Sequence, residues 1–232
     1  MIALAALAMA MAGECRLPAQ VPAPAVARPD GPTRVIPITS LILSLIWTGG
    51  FCADHGSEPD ARSSCDGHAG RGGFVLHGLW PDGAPVDGRP TWPQWCTGKS
   101  WQVPAAVARA MACTTPSADL VAHEWAKHGT CMAPGPAAYF AQSRRLWQQV
   151  RLPDMAALAG QGALTAGDIR RAFARANPRY AVRAIDLLLR DGRLEEVHLC
   201  HDAKAQPAPC PLPGPADDQP VRIDPAPAKA MR

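Results

Sequence analysis

The sequence lacks several features that define common classes of protein. Its 232 residues carry a net charge of only +3 and no block of basic residues at either end, which disfavours tight binding of duplex nucleic acid. The eight cysteines include no C-x-x-C pair, which disfavours zinc and redox sites and favours disulfides. The apolar runs are shorter than the roughly 20 residues that span a bilayer.

The remaining composition indicates one folded domain with extensions at both ends. An apolar content of 47% is enough for one hydrophobic core. Residues 1–12 are apolar and end in Ala10-Met11-Ala12, so they are interpreted as a signal peptide, although no basic residue precedes them. Residues 13–37, rich in proline and alanine, are predicted to be a linker or disordered arm, and residues 213–232 a frayed, Pro-rich tail. The signal and the disulfides together predict a secreted or periplasmic protein.

The predicted elements favour an α+β fold with an antiparallel β-sheet core flanked by several helices. Strands and helices are mixed without βαβ regularity. An Asp191-Gly192 turn joins the last two strands, and Thr165 is a candidate N-cap. The predicted strands are 41–47, 74–76, 180–190 and 193–199, the predicted helices are 103–112, 119–128, 136–150 and 165–176, and the predicted loops include 51–73 and 82–99.

The segment H-E-W-A-K-H-G-T-C at residues 123–131 concentrates polar, titratable side chains. At about 100° per residue, His123, Glu124, Lys127 and His128 share one helix face, and Gly129 is expected to end the helix in a left-handed conformation. A zinc protease helix would place its second histidine where Lys127 stands. The lysine charge would repel a cation and attract a phosphate, so no metal or cofactor is expected.

A second segment, F-V-L-H-G-L-W-P at residues 74–81, places His77 at the end of a short predicted strand. The two segments, about 45 residues apart, resemble the two active-site segments of the ribonuclease T2 family and occur in the family's order. The resemblance extends over roughly residues 41–210. It implies a disulfide-stabilised ribonuclease T2-like catalytic domain at residues 38–212.

The resemblance also implies a reaction. His77 matches the family's general acid and His128 its general base, while His123, Glu124 and Lys127 match positions that bind phosphate and stabilise the transition state. Single-stranded RNA would be cleaved by its own 2′-hydroxyl to a 2′,3′-cyclic phosphate and then a 3′-phosphate, without a metal. The residues alone support a two-histidine mechanism but do not decide which histidine is the acid.

Substrate-binding residues are expected close to the first segment. Trp80 is the candidate for stacking on a base, and Asp82 matches a position that contacts a base in some family members. Trp92 and Trp95 could extend this surface, although tryptophans in such a loop are more often local core. With only two tyrosines and four phenylalanines, an extensive aromatic surface is not expected.

The resemblance further suggests disulfides that join Cys96 to Cys131, Cys200 to Cys210 and Cys52 to Cys65. Cys15 and Cys113 are then left over, and a Cys65–Cys113 bond is the alternative. Of the histidines outside the two segments, His198 is interpreted as structural, and three are expected in solvated loops: His55, His68 and His201.

The expected partner is single-stranded RNA, with no membrane, no obligate protein partner and a monomeric state. The alternative is a catalytically inactive RNA-binding or inhibitory protein of the same fold. A protein of that kind is expected to have lost a catalytic histidine. In this sequence every position that matches the family's motifs carries the family's residue.

Overall fold

A four-stranded antiparallel sheet forms the centre of the computed structural model, which describes residues 15, 21, 23–58 and 61–228. The strands lie in the order β2-β1-β4-β3, and all neighbours pair antiparallel. The α+β architecture is therefore confirmed, whereas the predicted signal peptide lies outside the described residues. The strands are β1 (Ser40–Trp47), β2 (Phe74–Asp82), β3 (Ile185–Arg190) and β4 (Arg193–Asp202).

Helices fill the connections between these strands. The predicted loop at 51–73 contains helical turns, and the strand predicted from residue 180 begins only at Ile185, after the 3-10 turn Val182–Ala184. The helices are α1 (Thr48–His55), α2 (Arg62–Cys65), α3 (Ala105–Met111), α4 (Ala118–Glu124), α5 (Thr130–Met132), α6 (Pro136–Gln149), α7 (Met155–Ala159) and α8 (Ala166–Ala176).

The core follows from alternation in the strands and amphipathic helices around them. In β1 one face is buried from Leu41 to Trp47, because successive strand side chains point to opposite faces. Ser44 and Ile46 on the other face are buried as well. Helix α6 buries its apolar face as predicted, including Tyr139 and Trp147. Thr165 caps α8 in a capping box with Asp168, which confirms the predicted start of that helix.

The central irregularity of the sheet is a β-bulge at His77. Ser44 of β1 pairs with Gly78, but the next residue, Leu45, pairs with Leu76. His77 is therefore the extra residue of β2, and bulges of this kind re-aim a side chain. The prediction that β2 ends before His77 is wrong, since the strand continues to Asp82.

The helix that carries the second segment is also irregular. Between α4 and α5 lies one π-helical turn, Trp125–Gly129, a feature frequent at functional sites. The prediction that Gly129 ends the helix is wrong, because its φ of −62° is right-handed and the helix continues. A β-carbon at Gly129 would lie 2.4 Å from Trp125 Cε3 and 2.9 Å from Tyr139 Cγ. Close packing, rather than a turn, therefore requires this glycine.

Both chain extensions lie against the domain where they are described. The backbones of Arg34 and Gln94 exchange two hydrogen bonds of 2.9 Å, so this part of the predicted linker is not a free arm. The expectation of a frayed tail is wrong for Val221 and Ile223, which are buried. Val221 also donates a backbone hydrogen bond to Leu164. Apolar residues at alternate positions dock the tail as an extended segment despite its prolines.

Four disulfides cross-link the described chain. Three are the pairs that the resemblance implies: Cys52–Cys65, Cys96–Cys131 and Cys200–Cys210. The fourth joins Cys15 to Cys113, the two cysteines left over from the sequence, so the alternative Cys65–Cys113 bond does not form. Within the described residues, no helix combines the length and apolar character needed to cross a bilayer.

Candidate active site

His77 projects from the bulge of β2 between two carboxylates. Its Nδ1 lies 2.8 Å from Glu196 Oε1, and its Nε2 lies 3.6 Å from Glu124 Oε1. Burial lowers the pKa of His77, but the Glu196 and Glu124 charges and the Glu196 hydrogen bond outweigh it and raise this pKa to about 9. The imidazole is therefore protonated at neutral pH.

Glu124, the last residue of α4, is almost completely buried beside β2. The Trp80 indole donates a 2.8 Å hydrogen bond from Nε1 to Glu124 Oε2. Burial raises the pKa of Glu124 to about 7, against the opposing effects of His77 and of the Trp80 bond. A β-carbon on Gly78 would lie 1.8 Å from Glu124 Oε2, so this carboxylate occupies space that only a glycine leaves free.

His128 has the opposite electrostatic character. It is buried in the π-helical turn, and its Nδ1 has no hydrogen-bond partner in the described part of the chain. Burial, followed by the charges of Lys127, His123 and His77, lowers the pKa of His128 well below its usual value. This imidazole is therefore neutral at pH 7. Its ring centroid lies 5.7 Å from that of Trp80, which also contacts His77 at 4.9 Å.

His123 and Lys127 face a carboxylate from the N-terminal extension. Asp30 Oδ2 lies 2.7 Å from Lys127 Nζ and 4.0 Å from His123 Nε2, and its Oδ1 accepts a 3.0 Å hydrogen bond from Trp95. Burial, followed by the Lys127 charge, lowers the pKa of His123. Partial burial acts to raise the pKa of Asp30, but its hydrogen bonds with Lys127 and Trp95 outweigh this and hold it below the usual range. The Asp30 carboxylate thus lies against Lys127 and His123, two side chains that are predicted to bind the phosphate.

Glu196 on β4 is the second carboxylate that sequence reasoning missed. Its Oε1 faces His77, while its Oε2 accepts hydrogen bonds from Ser44 Oγ at 2.6 Å and from His198 Nε2 at 2.8 Å. A glutamate at an alternating polar position of a predicted strand was the available signal. The sequence contains no comparable signal for Asp30, because its contact with Lys127 joins residues that are 97 positions apart in the chain. His198, interpreted as structural, also contacts Trp80 and thus borders the site.

The structure brings together the five predicted catalytic residues. Of the two predicted substrate-binding residues, one is partly exposed and the other is buried. Trp80 is partly exposed and is held by its bond to Glu124. Asp82 is buried, and burial raises its pKa to about 6 against the charge of His198. Trp95 is fully buried, as expected for local core, and half-buried Trp92 donates to Gln94. Base contacts by Trp80 and Asp82 remain predictions.

The remaining titratable groups separate into site and scaffold. His201, expected in a solvated loop, is instead 1% exposed, and its Nε2 lies 2.7 Å from the Tyr180 hydroxyl. The error arose because β4 extends to Asp202, beyond its predicted end. His55 and His68 are partly exposed. In the described part of the chain, no group of three or more His, Cys, Asp or Glu side chains is arranged to hold a metal ion.

Comparison with known proteins decides the family. The model of the ribonuclease T2 family matches residues 38–210, which include both active-site segments. The chain belongs to the ribonuclease T2 family. It is 27% identical over 179 residues to a probable ribonuclease of Haemophilus influenzae, covering 75% of this chain and 61% of that protein. It is 36% identical over 89 residues to a ribonuclease of Aeromonas hydrophila, covering 38% of this chain and 35% of that protein.

Solved structures show the same T2 fold. The RNase-related protein from Calystegia sepium superposes with a TM-score of 0.62 at 22% identity, covering 81% of this chain and 97% of that one. Trichomaglin, described as an S-like ribonuclease, gives a TM-score of 0.63 at 21% identity, covering 83% and 100%. The chain therefore spans nearly all of these T2 structures but only 61% of the length of the Haemophilus relative.

Proposed function

We propose that this T2-family protein is an endoribonuclease that cleaves single-stranded RNA by metal-independent transphosphorylation. The observation that carries the proposal is the opposite displacement of two histidine pKa values around Trp80. The pKa of His77 is raised to about 9, and that of His128 is lowered well below its usual value. Pairs of titratable groups whose environments push their pKa values apart are suited to acid and base roles.

The neutral His128 serves as general base in the first step. It removes the proton of the ribose 2′-hydroxyl, and the resulting oxygen attacks the adjacent phosphorus. The protonated His77 donates a proton to the departing 5′-oxygen, which leaves a 2′,3′-cyclic phosphate. In the second step the roles are reversed, since water replaces the 5′-hydroxyl and the product is a 3′-phosphate.

The charge that develops on the phosphorus oxygens requires stabilisation by fixed donors and cations. Lys127 supplies an ammonium group, and His123 lies beside it, 4.0 Å from the Asp30 carboxylate. Glu124, with a pKa raised to about 7, is partly protonated at neutral pH. Its protonated form can donate a hydrogen bond to a phosphate oxygen.

The setting of this activity follows from the disulfides. Four disulfides in the described chain are typical of proteins that fold in an oxidising compartment. The protein would therefore act in a secreted or periplasmic setting. We further propose that it acts as a monomer on RNA, without a cofactor.

The proposal is tested by incubating the oxidised full-length protein with a single-stranded RNA, and with DNA of the same sequence, in excess EDTA. Cleavage of RNA alone to 2′,3′-cyclic ends supports it. His77→Ala and His128→Ala should each abolish cleavage, whereas His55→Ala, which changes a partly exposed histidine bonded to exposed Glu58, should not. Cleavage that requires a metal or consumes DNA equally would overturn the mechanism. A folded protein that cleaves neither would be the inactive member of the fold.

A further inference from the structure

Glu196 stands at the centre of a hydrogen-bond network that joins three strands at the bulge. It lies on β4 opposite Ile46 of β1 and Leu188 of β3, and only 10% of its side chain is exposed. One carboxylate oxygen faces His77 Nδ1, and the other accepts from Ser44 and His198. The two oxygens thus take three hydrogen bonds from three different side chains.

These contacts fix the ring of His77 as well as its charge. An ionised carboxylate only accepts hydrogen bonds, so the 2.8 Å contact requires a proton on Nδ1 of His77. The other ring nitrogen, Nε2, then faces away from Glu196 toward Glu124, at 3.6 Å. The charged and titratable groups that act on His77 come from β4 (Glu196), from α4 (Glu124 and His123) and from the π-helical turn (Lys127 and His128).

We propose that Glu196 is the positioning residue of His77: it holds Nδ1 in the donor state, so that Nε2 delivers its proton to the departing 5′-oxygen. This inference rests on the proposed function of His77 as general acid. Glu196 itself does not touch the reacting atoms. Ser44 and His198 hold its carboxylate in place, and such supporting hydrogen bonds keep a reactive side chain in its productive orientation.

The charge of Glu196 is part of this role. Burial opposes ionisation of Glu196, but the charges and hydrogen bonds of His77 and His198 hold its pKa well below the usual range. The carboxylate is therefore an anion throughout the neutral pH range, and it favours the imidazolium form of His77. Without that anion the acid would lose its proton at a lower pH, and the alkaline limb of the rate profile would shift with it.

The test replaces Glu196 with glutamine, which keeps the shape and can still accept from Nδ1 but removes the charge. The matched control is Glu195→Gln, because Glu195 is the preceding residue on β4, is similarly buried, and bonds to Arg190. For Glu196→Gln we expect kcat on RNA to fall roughly 10- to 100-fold, with little change in KM. This is less than the 10²–10⁴-fold that a general acid contributes, because the variant keeps the acid itself. The alkaline limb of kcat/KM should move to lower pH, and Glu195→Gln should leave both unchanged.

An NMR titration of the histidine ring nitrogens gives a second reading that does not require cleavage. A lowered pKa for His77 in Glu196→Gln supports the inference even if the protein proves inactive on RNA. An unchanged pKa of His77 in a folded Glu196→Gln variant would overturn it. If Glu196→Gln fails to fold, Ser44→Ala decides, because it removes one donor to the same carboxylate. A several-fold loss of kcat at constant KM supports the inference, and no loss refutes it.

Discussion

Replacing Gly78 with alanine should disconnect Glu124 from the site without changing any charged residue. Gly78 is buried and does not have a positive φ, so alanine meets no backbone obstacle there. Its β-carbon would, however, lie 1.8 Å from Glu124 Oε2, 2.6 Å from Glu124 Cδ and 2.9 Å from Trp80 Nε1. The carboxylate must therefore move, and its hydrogen bond from Trp80 is lost.

The size of the effect follows from the hydrogen bond that Glu124 is proposed to donate to the phosphate. A hydrogen bond to a charged group contributes about 1.5–3 kcal/mol, which corresponds to a roughly 10- to 100-fold loss of kcat/KM if the displaced Glu124 no longer makes this bond in the transition state. Folding should tolerate a loss of this size, because natural domains are stable by about 5–15 kcal/mol. The variant should thus be folded at 25 °C and slow.

The assay is steady-state cleavage of a short single-stranded RNA, with the thermal unfolding midpoint measured on the same sample. Gly162→Ala is the matched control, since a β-carbon at Gly162 has open space around it and should change neither quantity. A folded Gly78→Ala protein that keeps kcat/KM within twofold of the parent would refute the reasoning, as would an equal loss in the control.

Three further predictions concern the scaffold around the site. Asp30→Asn should lower KM for RNA by up to about fivefold at low salt, because the partly exposed carboxylate competes for Lys127 with an energy of about 0.2–1 kcal/mol; a higher KM would contradict this. Replacing Cys15 and Cys113 with serine should lower the free energy of unfolding in urea by up to about 4.7 kcal/mol, the chain-entropy limit for a bridge spanning 98 positions, and no loss would mean that the bridge does not constrain the chain. Burial lowers the pKa of His201 to about 4, so the unfolded chain binds more protons between pH 6.5 and 4, and stability falls by up to about 3 kcal/mol as the pH drops through that window. His201→Gln should flatten this acid limb in urea titrations, and an unchanged limb would contradict the assignment.

The sequence predicted those parts of the fold whose signals are local. Three such features lie where they were predicted: the amphipathic period of α6, the Thr165 cap of α8 and the Asp191-Gly192 turn. Each depends only on residues that are close together in the sequence. The five candidate catalytic residues could be selected from the sequence because they fall in two dense segments. The docking of Val221 and Ile223 was missed because the tail was interpreted from its proline content. Proline content says how the backbone behaves, but it does not say whether the domain offers apolar residues for the tail to pack against.

The parts that could not be predicted depend on register and on contacts between distant segments. The bulge at His77 is a property of the pairing between β1 and β2, and nothing in the residues next to His77 specifies it. The π-helical turn at Gly129 depends on packing against Tyr139 of α6. The carboxylates of Asp30 and Glu196 reach the site only after the sheet and the disulfides have placed them.

The bulge at His77 also determines which changes of chain length the catalytic strand can accept. Because His77 is the one residue of β2 without a partner on β1, deleting Val75 or Leu76 would restore a regular ladder. His77 would then pair with Leu45, and the orientation that the bulge gives its side chain would be lost. A natural or laboratory lineage must therefore preserve the number of residues here as well as the identities of His77 and Gly78. The number of residues through this strand is therefore itself part of what places the His77 imidazole between Glu124 and Glu196, in addition to the side chains that the strand carries.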